Sequence, residues 1–183
     1  GDFTLTADVQ FVGAGVNAHR KAVLMARQDL SAGAAYADAA VHGDGLTSLQ
    51  YRGVASGPTA ELRSNVSGPV RLRLQRRGNQ FTMQAGKPGE PLSATGPQVV
   101  ELSGPIYVGL GVCSHDAKVV ETAVFTNVRL EVAPRYRSKV TIFDLTSRNS
   151  KTVYEADGVV EAPNWSRDGK WLLINTGGNL YRL

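Results

Sequence analysis

The stretch that decides the fold is residues 105–132, PIYVGLGVCSHDAKVVETAVFTNVRLEV. Apolar residues fall at every second position in residues 106–112, and Val, Leu and Thr do so in residues 120–130, which is the period of a pleated strand. The polar turn Ser114-His115-Asp116 separates the runs. We therefore predict a β-hairpin in the protein core. The side chains predicted to point into that core include Val108, Leu110, Val124 and Val128.

The remainder of the first 132 residues shows the same alternation in shorter runs. The predicted strands cover residues 2–12, 21–28, 35–42, 46–52, 60–63, 70–75, 80–85 and 98–102. Turn-forming residues separate them, such as Gly78 and Asn79, which adopt the positive φ of a tight hairpin turn at low cost. About ten short strands without a helical period predict an all-β fold, specifically an antiparallel jelly-roll β-sandwich.

The strand pattern is interrupted around Pro134, and we predict a domain boundary there. Four further short strands are predicted at residues 139–145, 151–155, 170–175 and 179–183. Four strands in about 45 residues match the size of one blade of a β-propeller. Because one blade cannot bury both of its faces, this segment either packs on the first domain or belongs to a propeller that continues in a longer parent protein. The predicted domains are residues 1–133 and 138–183.

The composition argues against several classes of protein. A hydrophobic content of 42% suffices for a packed core. Residues 1–133 contain 12 Lys and Arg against 11 Asp and Glu, and residues 134–183 contain 8 against 5, so neither part has the charge excess expected for nucleic-acid binding. No run approaches the roughly 18 apolar residues of a membrane span. The single cysteine, Cys113, is predicted to be a buried and unreactive thiol.

Two parts of the sequence resemble known protein families. The segments GDFTLTADV, KAVLMARQ, YADAAVHGDG, LQYR, RLRLQRRGNQFT, YVGLGVCSHD and AVFTNVRL resemble the concanavalin-like jelly-roll domains of secreted and periplasmic bacterial proteins. The segments APNWS (162–166), DGKWLLI (168–174) and NLY (179–181) are similar to the repeat of TolB-like propellers, except at Arg167, where Pro is common. In that repeat, Trp165 and Trp171 provide packing surface and Asp168-Gly169 forms a tight turn.

The resemblances imply a periplasmic or secreted bacterial protein. The chain begins at Gly1 already in strand pattern and without an initiator Met, so we interpret it as a mature or excised segment. A jelly-roll domain commonly binds sugars on one sheet face, and a fold alone does not establish a ligand.

One face of the predicted sandwich collects polar side chains. Because residues two apart share one side of a strand, Tyr36, Asp38 and His42 face the same way, as do Gln50 and Arg52. An ordinary solvated sheet face is the alternative interpretation, and the absence of Trp from residues 1–133 weakens sugar binding. The candidate ligand-binding residues are Arg27, Tyr36, Asp38, His42, Gln50, Arg52 and His115.

The sequence does not contain the residue patterns that catalytic sites of this fold require. Glycoside hydrolysis needs two carboxylates about 5 to 10 Å apart, and Asp38, Glu101 and Glu121 each stand alone in their strands. The three histidines have no partner at metal-ligand spacing, so no metal or other cofactor is predicted. Calcium is left open at Asp44 and Asp116, where a turn-forming Asp is the commoner explanation.

The sequence therefore favours a non-catalytic extracytoplasmic binding module for a glycan or another polar polymer. The alternative is a structural or protein-interaction scaffold of a TolB-like propeller protein, and a glycoside hydrolase is the third hypothesis. The expected partners are a glycan or a protein, or the remaining propeller blades of a longer parent protein. Nucleic acid is not an expected partner.

Overall fold

The computed structural model describes residues 1–133 and 136–183. All the regular secondary structure in these residues is β-strand, and every strand pairing is antiparallel. This confirms the all-β class. The chain divides into two compact units, residues 1–133 and 134–183.

The first unit contains two sheets. Its strands are β1 (Phe3–Phe11), β2 (Lys21–Arg27), β3 (Tyr36–His42), β4 (Leu46–Arg52), β5 (Ala60–Ser67), β6 (Val70–Arg77), β7 (Gln80–Gly86), β8 (Ser93–Ala94), β9 (Gln98–Val99), β10 (Tyr107–Cys113) and β11 (Ala123–Val132). Sheet 1 has the order β11-β1-β6-β7-β8, and β9 also pairs with β7. Sheet 2 has the order β10-β2-β3-β4-β5.

The two sheets pack face to face over one hydrophobic core. Strand β2 packs on β1 and β6, and β3 packs on β6 and β7. Sheet 2 contributes small side chains from β2 and β3, including Ala22, Ala37 and Ala39, whereas sheet 1 contributes bulky ones such as Leu72 and Phe81. Small residues opposite large ones allow close packing, and each fully buried Leu or Phe stabilises the fold by roughly 1.5 to 3 kcal/mol.

Residues 105–132 do not form the predicted hairpin. Strand β10 pairs with β2 at the edge of sheet 2, and β11 pairs with β1 at the edge of sheet 1. The connection at residues 114–122 crosses from one sheet to the other. The prediction failed because alternation places apolar residues on one side of each strand and does not identify the partner strand. Cys113 is also exposed rather than buried, because it lies on the outer side of β10.

Strand β11 changes face at Asn127. The pairing of β1 with β11 shifts register at this point, and Asn127 adopts a φ of 52°, which together form a β-bulge. Phe125 therefore faces the core before the bulge, and Val128 and Leu130 face it after the bulge. The prediction that Val124 points into the core is wrong, and this side chain is 47% exposed.

The second unit forms two small sheets. Its strands are β12 (Arg137–Phe143), β13 (Ser150–Asp157), β14 (Val160–Trp165), β15 (Leu172–Thr176) and β16 (Asn179–Arg182). Strands β12 and β13 pair with each other, and β14, β15 and β16 form a three-stranded sheet, in which Ile174 is fully buried. The side chains of Trp165 and Trp171 are about half exposed, and the Arg182 guanidinium lies 4.1 Å from the Trp171 ring centre.

Four of these five strands are predicted from the sequence, and β14 is not. This strand contains Pro163, which reads as a strand breaker in sequence. An edge strand tolerates Pro, and β14 is an edge strand with a register shift between Glu161 and Asn164. The resemblance to a TolB-like repeat stays a prediction.

Candidate ligand-binding face

The outer side of sheet 2 collects polar side chains in register. Directly opposed pairs include Asp38 with Gln50, Gln50 with Glu61, and Tyr36 with Arg52. The intervening residues of β2, β3 and β4 point inward and are apolar, so the alternation directs these polar side chains outward. We call this set the polar face, and it consists of Lys21, Arg27, Tyr36, Asp38, His42, Ser48, Gln50, Arg52, Glu61 and Arg63.

The centre of the polar face is buried and hydrogen-bonded. Gln50 accepts a hydrogen bond from Lys21 Nζ (2.9 Å) and donates one through Nε2 to Glu61 Oε1 (3.0 Å). Ser48 Oγ donates to the same Glu61 oxygen at 2.9 Å. The side chains of Asp38, His42, Ser48 and Gln50 are all buried. A solvated sheet face has no such buried polar floor, because burial of polar groups is costly unless they are hydrogen-bonded.

Asp38 lies at the centre of this floor and is 3% exposed. Burial raises the pKa of its carboxyl to about 7, although the nearby charges of Lys21 and Arg27 oppose the rise. Its Oδ1 atom has no hydrogen-bond partner in the described part of the chain. A buried polar atom without a partner costs about 1 to 3 kcal/mol, so this oxygen is a local cost to the stability of the fold.

Glu61 is a member of the face that the sequence analysis missed. Burial alone would raise the pKa of Glu61, but hydrogen bonds from Gln50, Arg63 and Ser48 outweigh it and lower the pKa to about 2. The face therefore combines an ionised carboxylate with a carboxyl that stays largely protonated below pH 7. Glu61 and Arg63 are two residues apart in the short predicted edge strand at residues 60–63, so they share one side of that strand. This spacing could have identified Glu61 from the sequence.

Two arginines flank Tyr36 at one end of the face. The guanidinium carbons of Arg27 and Arg52 lie 5.7 and 5.3 Å from the Tyr36 ring centre. Arg52 Nη1 also donates to the Ala32 carbonyl at 2.9 Å, and the Tyr36 hydroxyl lies 3.1 Å from Thr59 Oγ1. These contacts hold the arginines in fixed positions, where their remaining N–H groups can bind carboxylate or hydroxyl oxygens.

The histidines differ in their placement. Burial and the positive charge of Lys21 lower the pKa of His42, so this ring is neutral at pH 7. Its Nε2 atom lies 3.3 Å from Ser48 Oγ, and its buried Nδ1 has no partner among the described residues. His115 lies in the connection 114–122, with its ring centre 6.4 Å from that of His19, and burial and the charge of Lys21 lower its pKa. The other predicted ligand-binding residues lie on β2, β3 and β4 within the polar face.

Neither calcium candidate belongs to a cluster of ligands. The carboxylate of Asp44 accepts a hydrogen bond from the backbone N–H of Leu46 (3.0 Å), and that of Asp116 from Lys118 (2.9 Å). Both residues therefore stabilise their own turns. In residues 1–133 and 136–183, no three His, Cys, Asp or Glu side chains are grouped so that they could hold a metal ion. The same residues contain no helix with the length and apolar character of a bilayer crossing.

Comparison with known proteins gives one informative match. A stretch of 59 residues is 44% identical to the uncharacterized protein Atu1656 of Agrobacterium fabrum (strain C58 / ATCC 33970). The match covers 31% of this chain and only 20% of the length of that protein. No family model matches the chain, and no solved structure matches it.

Proposed function

We propose that the first unit is a non-catalytic extracytoplasmic binding module that holds a glycan or another polar polymer on the polar face. The observation that carries this proposal is the hydrogen-bonded network of that face, in which Lys21, Ser48 and Gln50 are held around Glu61 in fixed positions. Donors and acceptors that are already fixed bind a ligand with little further loss of conformational entropy.

The two-sheet architecture supports assignment of this unit to the concanavalin-like jelly-roll sandwiches. The TolB-like repeat pattern of residues 162–181 supports assignment of the second unit to a propeller that continues in a longer parent protein. Both resemblances are to families of secreted or periplasmic proteins, and the proposed location is therefore outside the cytoplasm.

The charges of the face favour an acidic polymer among polar ligands. The face carries four cations, Lys21, Arg27, Arg52 and Arg63, and the ionised carboxylate of Glu61, which is paired with Arg63. Residues 1–133 contain no Trp for stacking on sugar rings, so binding would depend on hydrogen bonds and charge. A polyuronate supplies both hydroxyl groups and carboxylates.

Burial of Asp38 argues against hydrolysis at this face. Two carboxyl groups of different protonation resemble the acid–base pairs of glycosidases, which is why hydrolysis needs a separate test. A general acid must contact the oxygen that it protonates, and the Asp38 side chain is 3% exposed beneath its neighbours. Release of reducing ends from a polysaccharide by the purified chain would contradict the non-catalytic proposal.

Substitutions at the polar face should weaken retention on a polyuronate gel in affinity electrophoresis. Arg52→Ala removes a fixed cation, and Gln50→Ala removes the amide that links Lys21 to Glu61, so each should weaken binding about tenfold or more, which corresponds to about 1.4 kcal/mol. Arg129→Ala is the matched control, because it removes one positive charge from an exposed site on β11 in sheet 1.

A neutral glucan gel run in parallel distinguishes the ligand class. Retention on polyuronate alone supports charge recognition, and retention on both gels supports recognition of hydroxyl groups. If no gel retains the protein, or if Arg129→Ala weakens retention as much as Arg52→Ala, the polar face is not a glycan site. The scaffold hypothesis would then be preferred.

A further inference from the structure

Two glycines lie on the outer side of β10, next to the polar face. Gly109 is directly opposite Met25 of β2. Gly111 is directly opposite Val23 of the same strand. Opposed residues project to the same side of a sheet, so both glycines share the side that carries the polar side chains of β2. Gly in the interior of a strand weakens that strand, and it often marks a bulge, a bend or the close approach of another group.

Neither a bulge nor an unusual backbone conformation accounts for Gly109. The register of β10 with β2 is continuous, and the φ of Gly109 lies outside the left-handed region that favours glycine. Apart from its chain neighbours, no atom of the described residues lies within 4 Å of a Cβ atom added at Gly109, whereas a Cβ atom at Gly111 would lie 3.1 Å from Val23 Cγ2. Packing within the sheet therefore accounts for Gly111, and Gly109 leaves an open space above exposed backbone.

The space above Gly109 is bordered by apolar groups and by a cation. Tyr107, the preceding outward residue of β10, is 55% exposed, and Met25 lies across from Gly109 on β2. Arg27 is directly opposite Tyr107, and its Nη1 atom lies 3.7 Å from Met25 Sδ. Arg27 Nε also donates to the Asp29 carbonyl at 3.2 Å, which holds the guanidinium in place. An exposed aromatic ring, a thioether and a fixed positive charge thus surround a position without a side chain.

The chemistry of this border matches one residue of a polyuronate. A sugar ring has an apolar C–H face, which packs on aromatic and thioether side chains, and a polar rim of hydroxyl groups. A uronate ring also carries a carboxylate on that rim, and an Arg guanidinium binds carboxylates. Tyr107 and Met25 fit the apolar face, and Arg27 fits the carboxylate. A ring can approach the strand closely only where no side chain intervenes, which is the case at Gly109.

We propose that the space above Gly109 holds one sugar ring of an acidic polysaccharide. The apolar face of the ring packs on Tyr107 and Met25, and its carboxylate binds Arg27. This inference rests on the proposed function, and it extends the binding surface from the polar face to the edge strand β10. It adds an aromatic contact to the charges and hydrogen bonds of that face. The absence of a side chain at residue 109 is then a determinant of specificity, because a larger residue would occupy the place of the ring.

Gly109→Val tests the proposal by filling the space. Val favours a strand more than Gly does, so urea unfolding should show that the variant is at least as stable as wild type. Its retention on a polygalacturonate gel in affinity electrophoresis should nevertheless weaken at least tenfold, and Gly109→Ala should have a smaller effect. Gly96→Val is the matched control, because it adds the same side chain at an exposed glycine of ordinary φ in the connection between β8 and β9. This control should leave retention unchanged.

Substitutions at Tyr107 test the packing of the ring separately from the open space. Tyr107→Ala removes the aromatic surface and should weaken retention about fivefold. Tyr107→Phe keeps that surface and should be retained like wild type. Because Tyr107 is 55% exposed, neither substitution removes a core contact. Equal retention of Tyr107→Ala and wild type would overturn the proposed packing.

The gels also separate failure of this inference from failure of the proposed function. If neither polygalacturonate nor a neutral glucan retains the wild-type chain, the proposed function fails and this inference fails with it. If polygalacturonate retains wild type and Gly109→Val equally, this inference alone is overturned. An effect of Gly96→Val as large as that of Gly109→Val would overturn it as well, because the loss would then not depend on the space above Gly109.

Discussion

Asp38→Asn should make the free energy of unfolding less dependent on pH between about 4 and 7. The carboxyl of Asp38 has a pKa of about 7 in the folded chain against a reference value of 3.8, because it is buried. Within that window the folded state binds more protons than the unfolded state, so stability falls as pH rises. One pKa unit corresponds to about 1.36 kcal/mol, which gives an upper limit of about 4 kcal/mol for the whole window.

Urea unfolding of both proteins at several pH values measures this effect. The wild-type protein should lose up to about 4 kcal/mol more than the Asn variant from pH 4 to pH 8. The difference between the proteins is the relevant quantity, because the lowered pKa of His42 acts in the opposite direction near pH 6. Parallel pH profiles for the two proteins would show that Asp38 is not held protonated by burial.

Glu61→Gln is a control in which the pH dependence of the free energy of unfolding has the opposite sign and falls in a lower pH range. The pKa of Glu61 is about 2 in the folded chain against a reference value of 4.5. Its contribution to stability is therefore present above about pH 4.5 and is lost as pH falls toward 2. The Gln variant should be less stable than wild type at neutral pH and should lose less stability on acidification.

Removal of either member of the Arg20–Glu121 ion pair should destabilise the fold by about 3 to 5 kcal/mol. The two side chains are 4 and 5% exposed, and they join the loop after β1 to the connection 114–122. Arg20 also lies 4.2 Å from the Phe11 ring centre and donates to the Gly13 carbonyl at 2.9 Å. Each single alanine substitution leaves the other charge buried without its partner, which is the source of the cost.

A double substitution separates loss of the pair from loss of packing. Arg20→Met with Glu121→Leu removes both charges and retains apolar volume, so it should be more stable than either single alanine variant. The exposed pair Arg137 and Glu155 is the matched control, and Arg137→Ala should cost less than about 1 kcal/mol. Equal costs for Arg20→Ala and Arg137→Ala in urea unfolding would contradict this account.

The sequence was sufficient to predict structural features that depend only on neighbouring residues in the chain. Alternation predicted most of the strands, though not β8 or β14. It also directed Asp38, Gln50 and Arg52 to one side, because residues two apart share a face of a strand. The same pattern could not identify which strands pair, so residues 105–132 were predicted to form a hairpin. The bulge at Asn127 is a tertiary feature without a local signal, and it reversed the predicted face of Val124.

The polar face was predicted only in part for a similar reason. Membership of Glu61 depends on the pairing of β4 with β5, which brings Gln50 and Glu61 together across strands. The Arg20–Glu121 pair spans 101 residues in sequence, so Glu121 could only be described as isolated in its strand. Spacing in sequence is informative within one strand, and contacts between distant strands require the topology.

All seven residues of β3 are buried, with the hydrophobic core on one side of the strand and the polar floor on the other. An added methyl group at Ala37 or Ala39 would shift the backbone that carries Asp38, because the close-packed interior has no slack to absorb it. Substitutions in β3 should therefore be the least well tolerated in the first unit. The proposed ligand preference, by contrast, should respond to substitutions at the rim on β2, β4 and β5 without loss of the scaffold.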